Sequence, residues 1–138
     1  MLILIVEDEP LIGLALEAIL IDAGHRVQGV ACAAAQALAL LEQVRPDLML
    51  VDIDLTDGKG AGLRLAREAR DRWGVPVLFV SAQSSRAREG RDFALGFLSK
   101  PFNRTALLAG IEAARTVAGG GAAECPPGLE LFRQPSLG

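Results

Sequence analysis

Two apolar runs in this chain end directly on acids. LILIV leads into Glu7 and Asp8, and LMLV leads into Asp52. Two later runs end differently, VLFV on Ser81 and GFLS on Lys100 followed by Pro101. Carboxylates gathered within a few ångströms cannot all stay ionised unless something cancels their repulsion. A hard divalent cation does so with oxygen ligands, and Mg²⁺ (or Mn²⁺) suits such a set. A carboxylate held beside a cation and a lysine can attack phosphorus and become an acyl phosphate. The cation and the Lys100 ammonium would then neutralise the oxygens of the transferring group. The Ser81 hydroxyl can donate a hydrogen bond to the new phosphoryl oxygen, and the small Ala82 beside it leaves access for a phosphodonor. Glu9, by contrast, reads as an ordinary acid at a helix start.

Such chemistry needs strands that deliver their ends to one place. Runs of four to six apolar residues read as parallel strands buried on both faces. Strands are expected at residues 2–6, 26–30, 47–51, 77–80 and 96–99. Between them helices are expected from Pro10 to the Gly24 turn, at 34–44, at 63–73, and weakly at 84–94, where Gly90 interrupts a run crowded with arginines. Pro10 suits a first helical turn, and Asn103 suits the cap of a last helix running to about residue 117. Five such units with right-handed crossovers give an α/β, doubly wound parallel sheet in the order 2-1-3-4-5. That order makes the first and third strands neighbours and puts Glu7, Asp8 and Asp52 side by side at the switch point. Residues 1–118 therefore form the domain, and residues 119–138, opening with GGGAAECPPG, read as a flexible tail.

Composition narrows the function classes. The chain has 138 residues, 51% of them hydrophobic, and a formal net charge of −3, which fits one domain with a sizeable core. No basic excess points to nucleic acid, and no apolar run approaches the roughly 20 residues of a membrane span. No signal peptide is recognisable, so a cytoplasmic location is expected. Cys32 and Cys125 lack metal or redox spacing, and Cys32 is expected to be a buried or inert thiol. The lone His25 reads as a solvated turn residue, and Trp73 as a partly buried anchor closing the third helix. Of the two lysines, Lys59 sits in a glycine-rich loop and reads as solvated; Lys100 ends a strand, a poor place for a plain surface charge.

The blocks LILIVEDEP, PDLMLVDIDL, VPVLFVSAQ and GFLSKPF resemble those of bacterial response-regulator receiver domains, in order and near the usual spacing. The resemblance covers residues 1 to about 117 and implies a flavodoxin-like fold. It implies that Asp52 accepts a phosphoryl group from a sensor histidine kinase or a histidine phosphotransfer protein, in a phosphorelay. Glu7 and Asp8 match the metal-binding acidic pair, and Asp54 matches the position whose backbone carbonyl completes the metal shell. Ser81 and Lys100 match the switch hydroxyl and the family's lysine. Phe97 matches the aromatic residue that turns inward when the hydroxyl moves. The implied protein is no enzyme beyond its own phosphorylation and dephosphorylation, and it signals through an output protein that the sequence does not name.

Some features depart from the family pattern. Thr56 stands where proline is usual, and Gly58, Gly60 and Gly62 lengthen that loop. The span from Ser81 to Lys100 is short, similar to stand-alone receivers with a Phe-Ala-Thr-Gly strand end; here the run is Phe79, Val80, Ser81, Ala82. No output domain is expected after the tail. The stretch DIDLT from Asp52 to Thr56 also resembles haloacid dehalogenase-type phosphatases. Those enzymes need an acidic pair downstream of the lysine, and after Lys100 this chain has no aspartate. A receiver-like scaffold that never takes phosphate is the remaining alternative.

Overall fold

The computed structural model describes residues 1–55, 58 and 60–132. The elements run β1 (Leu2–Val6), α1 (Pro10–Asp22), β2 (Arg26–Ala31), α2 (Ala34–Gln43), β3 (Leu48–Asp52), α3 (Ala61–Trp73), β4 (Val77–Ser81), α4 (Ser84–Arg88), β5 (Gly96–Ser99), α5 (Arg104–Ala118) and β6 (Leu129–Leu131). Thr56 and Lys59, on which two sequence expectations fall, lie outside the described residues.

The sheet order is β2-β1-β3-β4-β5-β6, with the first five strands parallel. Side chains alternate across it as a pleated strand requires. Leu4, Val6, Met49, Val51, Val77 and Phe79 face one apolar cluster with α2, α3 and α4. Ile3, Ile5, Leu48, Leu50, Leu78 and Val80 face the other, with Leu16 and Leu20 of α1 and Leu107 and Ile111 of α5. Both faces are thus covered, which is why these strands read as unbroken apolar runs.

The doubly wound order expected from the sequence is present, and the sheet carries one strand more. Leu129–Leu131 pairs antiparallel with β5, so part of the segment read as a flexible tail is built into the sheet. Composition hid this strand, because only four apolar or acidic residues follow a glycine, alanine and proline stretch. The weak fourth helix is shorter than the expected 84–94: α4 is one turn, followed by turns from Gly90 to Ala94. No side chain caps its start. Gly90 lies so close to the Phe79 ring that a Cβ there would collide with it. Helix α5 begins as expected, with the Asn103 side-chain oxygen accepting from the Ala106 N–H at 2.8 Å. Trp73 ends α3 and packs at the edge of a core cluster, whereas Cys32 is exposed and not buried. His25 is half-buried, between α1 and β2.

Candidate functional site

Register brings the acids together. Val6 pairs with Val51 across β1 and β3, so the next residues, Glu7 and Asp52, leave the sheet side by side. Ligand oxygens of Glu7, Asp8 and Asp52 all lie within 4.8 Å of one another. Ser81 pairs with Ser99 across β4 and β5, and the Lys100 N–H donates to the Ser81 carbonyl at 2.9 Å. This fixes the root of Lys100, whose side chain turns back across the strand ends. Its Nζ lies 3.2 Å from Asp52 Oδ2 and 3.4 Å from Glu7 Oε1. The peptide bond to Pro101 is cis.

Glu7 is only 2% exposed and Asp52 5%, and desolvation dominates the electrostatics of Glu7. Burial pushes the Glu7 carboxyl up to about 8, and the hydrogen bond and negative charge of Asp52 add to the rise. Lys100 and the Glu9 amide work against it. Burial alone would lower the Lys100 pKa, but the charges of Asp52 and Glu7 outweigh it and raise it. Two groups of the site thus answer to each other. The raised value leaves the Glu7 carboxyl largely protonated near neutral pH.

The remaining expected residues divide. Asp54 has an exposed side chain, and its backbone N–H donates to Asp52 Oδ1 at 3.0 Å. Both Asp52 oxygens therefore have a donor, one backbone and one ammonium. Ser81 is 1% exposed, but its hydroxyl is engaged locally: it accepts from the Gln83 N–H at 2.9 Å and donates to the Gln83 carbonyl at 3.1 Å. These bonds anchor the start of α4. Phe97 is buried in the α2–α3–α4 cluster, with the Arg88 guanidinium 5.9 Å from its ring centre.

Sequence reasoning missed Gly62 as a site residue. A Cβ at Gly62 would stand 2.7 Å from the Asp52 carbonyl oxygen and 2.8 Å from Ile53 Cα. Glycine is what lets α3 approach the backbone that carries Asp52. A third glycine in a short loop was the only signal available.

Fold and site together define a doubly wound α/β domain in which acids and a lysine meet where β1 adjoins β3. The chain belongs to the response regulator receiver domain family, which matches residues 3–112. Phyllosphere-induced regulator PhyR of Methylorubrum extorquens is 42% identical over 102 residues, covering 72% of this chain and 38% of PhyR. Transcriptional regulatory protein PdtaR of Mycobacterium tuberculosis is 32% identical over 115 residues, 81% of this chain and 55% of PdtaR. The solution structure of the Erythrobacter litoralis PhyR receiver domain superposes with a TM-score of 0.73 at 34% identity, covering 81% of this chain and 87% of that one. The chain thus spans about two fifths to a little over half the length of these two full-length relatives. It is a receiver domain of the two-component signalling type. Among the described residues no helix is long and apolar enough to cross a membrane.

Proposed function

We propose that this domain receives a phosphoryl group on Asp52 and signals by a phosphorylation-dependent change of the surface around α4 and β5. The observation that carries the reading is the convergence of Glu7, Asp8 and Lys100 on one nearly buried aspartate. A divalent cation, Mg²⁺ by the chemistry of three carboxylates, would cancel their repulsion and share the charge of the phosphoryl oxygens. Glu7, Asp8 and Asp52 would hold it, with the Asp54 backbone carbonyl as a further oxygen. The raised Glu7 pKa, which comes first from burial and then from the hydrogen bond and charge of Asp52, fits a carboxyl pair that a cation would stabilise in its ionised form.

The residues divide the work as follows. An Asp52 carboxylate oxygen attacks phosphorus, an acyl phosphate forms, and the bond to the donor nitrogen of a phosphohistidine breaks. The departing imidazole takes up a proton. The Asp54 amide holds the other carboxylate oxygen and fixes the plane of attack. Lys100 exchanges its contact with Asp52 for one with the incoming oxygens, which stabilises the charge where it develops. Ser81 then gives up its bonds to Gln83 for the phosphoryl oxygen. Releasing Gln83 frees the start of α4, a single turn with no side-chain cap.

The phosphodonor has a surface to sit on. An apolar groove of about 560 Å³ lies between α1 and the segment after β5, lined by Leu11, Ile12, Ala15, Ile19 and Phe102, and Lys100 stands among its walls. Leu11 is 81% exposed. A histidine kinase or histidine phosphotransfer protein docked here would present its imidazole to the strand ends, in the cytoplasm where such donors act.

The test is phosphorylation of the purified chain by acetyl phosphate and Mg²⁺. One phosphoryl group is expected on the wild type and none on Asp52→Asn. A wild type that never takes phosphate would return the reading to a scaffold.

A further inference from the structure

The outer edge of β5 is occupied by the chain's own β6. Leu129, Glu130 and Leu131 lie opposite Leu98, Phe97 and Gly96. The pairing is extended at both ends, where Ser99 N–H donates to the Gly128 carbonyl and Phe132 N–H to the Leu95 carbonyl, each at 2.8 Å. Without β6, β5 would present a row of unpaired backbone donors and acceptors, a template for another strand. Gly96 is shaped for this neighbour: a Cβ there would collide with the Glu130 carbonyl oxygen.

The contacts are selective as well as close. Arg88 of α4 clasps Glu130 with two parallel bonds, Nη2 to Oε1 at 2.7 Å and Nε to Oε2 at 2.8 Å. The Phe132 ring lies 6.0 Å from that of Phe97, and Leu129 and Phe132 are buried. The segment seated on the edge thus has a short pattern: apolar, acidic, apolar, aromatic. Its own occupant is held lightly. The strand has three residues, its ion pair joins two half-exposed side chains open to solvent screening, and its tether from Gly119 to Gly128 includes four glycines and two prolines.

We propose that residues 129–132 are a built-in competitor, and that the β5 edge is a docking site for an extended segment of a partner protein with the same pattern, added antiparallel. Main-chain bonds to β5 supply the affinity, and Arg88 and the Phe97 ring supply the choice of side chains. Control by phosphate rests on the reading above, because Arg88 and Phe97 belong to the segment that Ser81 anchors; the site itself does not.

The test uses the full-length chain and a fluorescein-labelled peptide of residues 126–132. The double variant Glu130→Arg/Phe132→Ala releases the competitor and leaves Arg88 and Phe97 in place. Labelling of its Asp52 by acetyl phosphate, equal to wild type, serves as the check on folding. If the edge is closed in about nine molecules of ten, freeing it raises peptide affinity about tenfold. Adding Gly96→Leu to that variant is expected to abolish the gain, as is a peptide with lysine in place of its glutamate. Equal peptide binding by wild type and double variant, with hydrogen exchange showing residues 129–132 already released in the variant, overturns the proposal. So does a concentration-dependent wild-type dimer that excludes the peptide, which would assign the edge to a second copy. Beryllofluoride, an acyl-phosphate mimic, is expected to raise wild-type affinity for the peptide. Peptide binding by the double variant with no response to beryllofluoride at Ser81 would refute the switch reading and leave the docking site standing.

Discussion

Glu7 makes the metal-free protein sensitive to pH in a direction opposite to that of a salt-bridged carboxylate. Its pKa is 4.5 when solvated and about 8 in the folded chain. Between those values the folded state keeps a proton that the unfolded state has lost, so stability falls as pH rises. The contribution is fully present below pH 4.5 and is lost as pH climbs through about 8. The slope from this one group approaches ~1.4 kcal/mol per pH unit. The interactions of Glu7 with Asp52 and Lys100 trim the total, which we place on the order of 3 kcal/mol. Urea melts followed by Trp73 fluorescence, with chelator present, at pH 5.5, 6.5 and 7.5 measure it. Glu7→Gln keeps the shape and cannot ionise, so its slope is expected to be shallower, with the difference between the two proteins carrying the Glu7 term. Mg²⁺ is expected to reverse the wild-type loss and to bind more tightly as pH rises toward 8, because it competes with the proton. Parallel slopes for wild type and Glu7→Gln would refute the desolvation argument.

Three further outcomes follow from single contacts. Gly62→Ala forces a methyl against the Asp52 carbonyl and the Ile53 backbone; it is expected to cost about 1–3 kcal/mol in urea melts and to slow labelling by acetyl phosphate. Asn103→Ala removes the α5 cap and is expected to cost about 1 kcal/mol, with labelling of Asp52 unchanged. Asp54 lies exposed two residues after the acceptor, and if its carboxylate orients a water toward the phosphoryl group, general-base help is worth about 10²–10⁴-fold; Asp54→Ala is then expected to lengthen the lifetime of the phosphorylated form, and a decay as quick as wild type removes that role.

Much of the site was legible because its parts sit where patterns end. Glu7, Asp8, Asp52, Ser81 and Lys100 each follow an apolar run, and parallel strands buried on both faces announce themselves by composition alone. Strand order then implies the meeting of Glu7, Asp8 and Asp52, which the structure shows with Lys100 beside them. What the residues did not disclose depends on neighbours distant in sequence. The Glu7 pKa depends on burial against Asp52, and the local bonds of Ser81 depend on how the chain turns at Gln83. Strand β6 was hidden because three residues form a strand only when an edge awaits them, and the signal for it was Gly96, on the other side of the pair. Helix α4 stops after one turn because Gly90 must approach Phe79, a contact between elements that helical periodicity does not carry. The alanines around Cys32 suggest a buried or inert thiol, yet β2 has already ended there and the residue is exposed.

The most direct test of the account is to locate the phosphoryl group chemically. The wild-type chain is treated with acetyl phosphate and Mg²⁺, quenched, and reduced with borohydride, which converts an aspartyl phosphate to homoserine. Mass spectrometry of the digested protein is expected to find homoserine at position 52 and at no other acid. Homoserine at another acid, or unmodified Asp52 in a chain shown to carry phosphate, would contradict it.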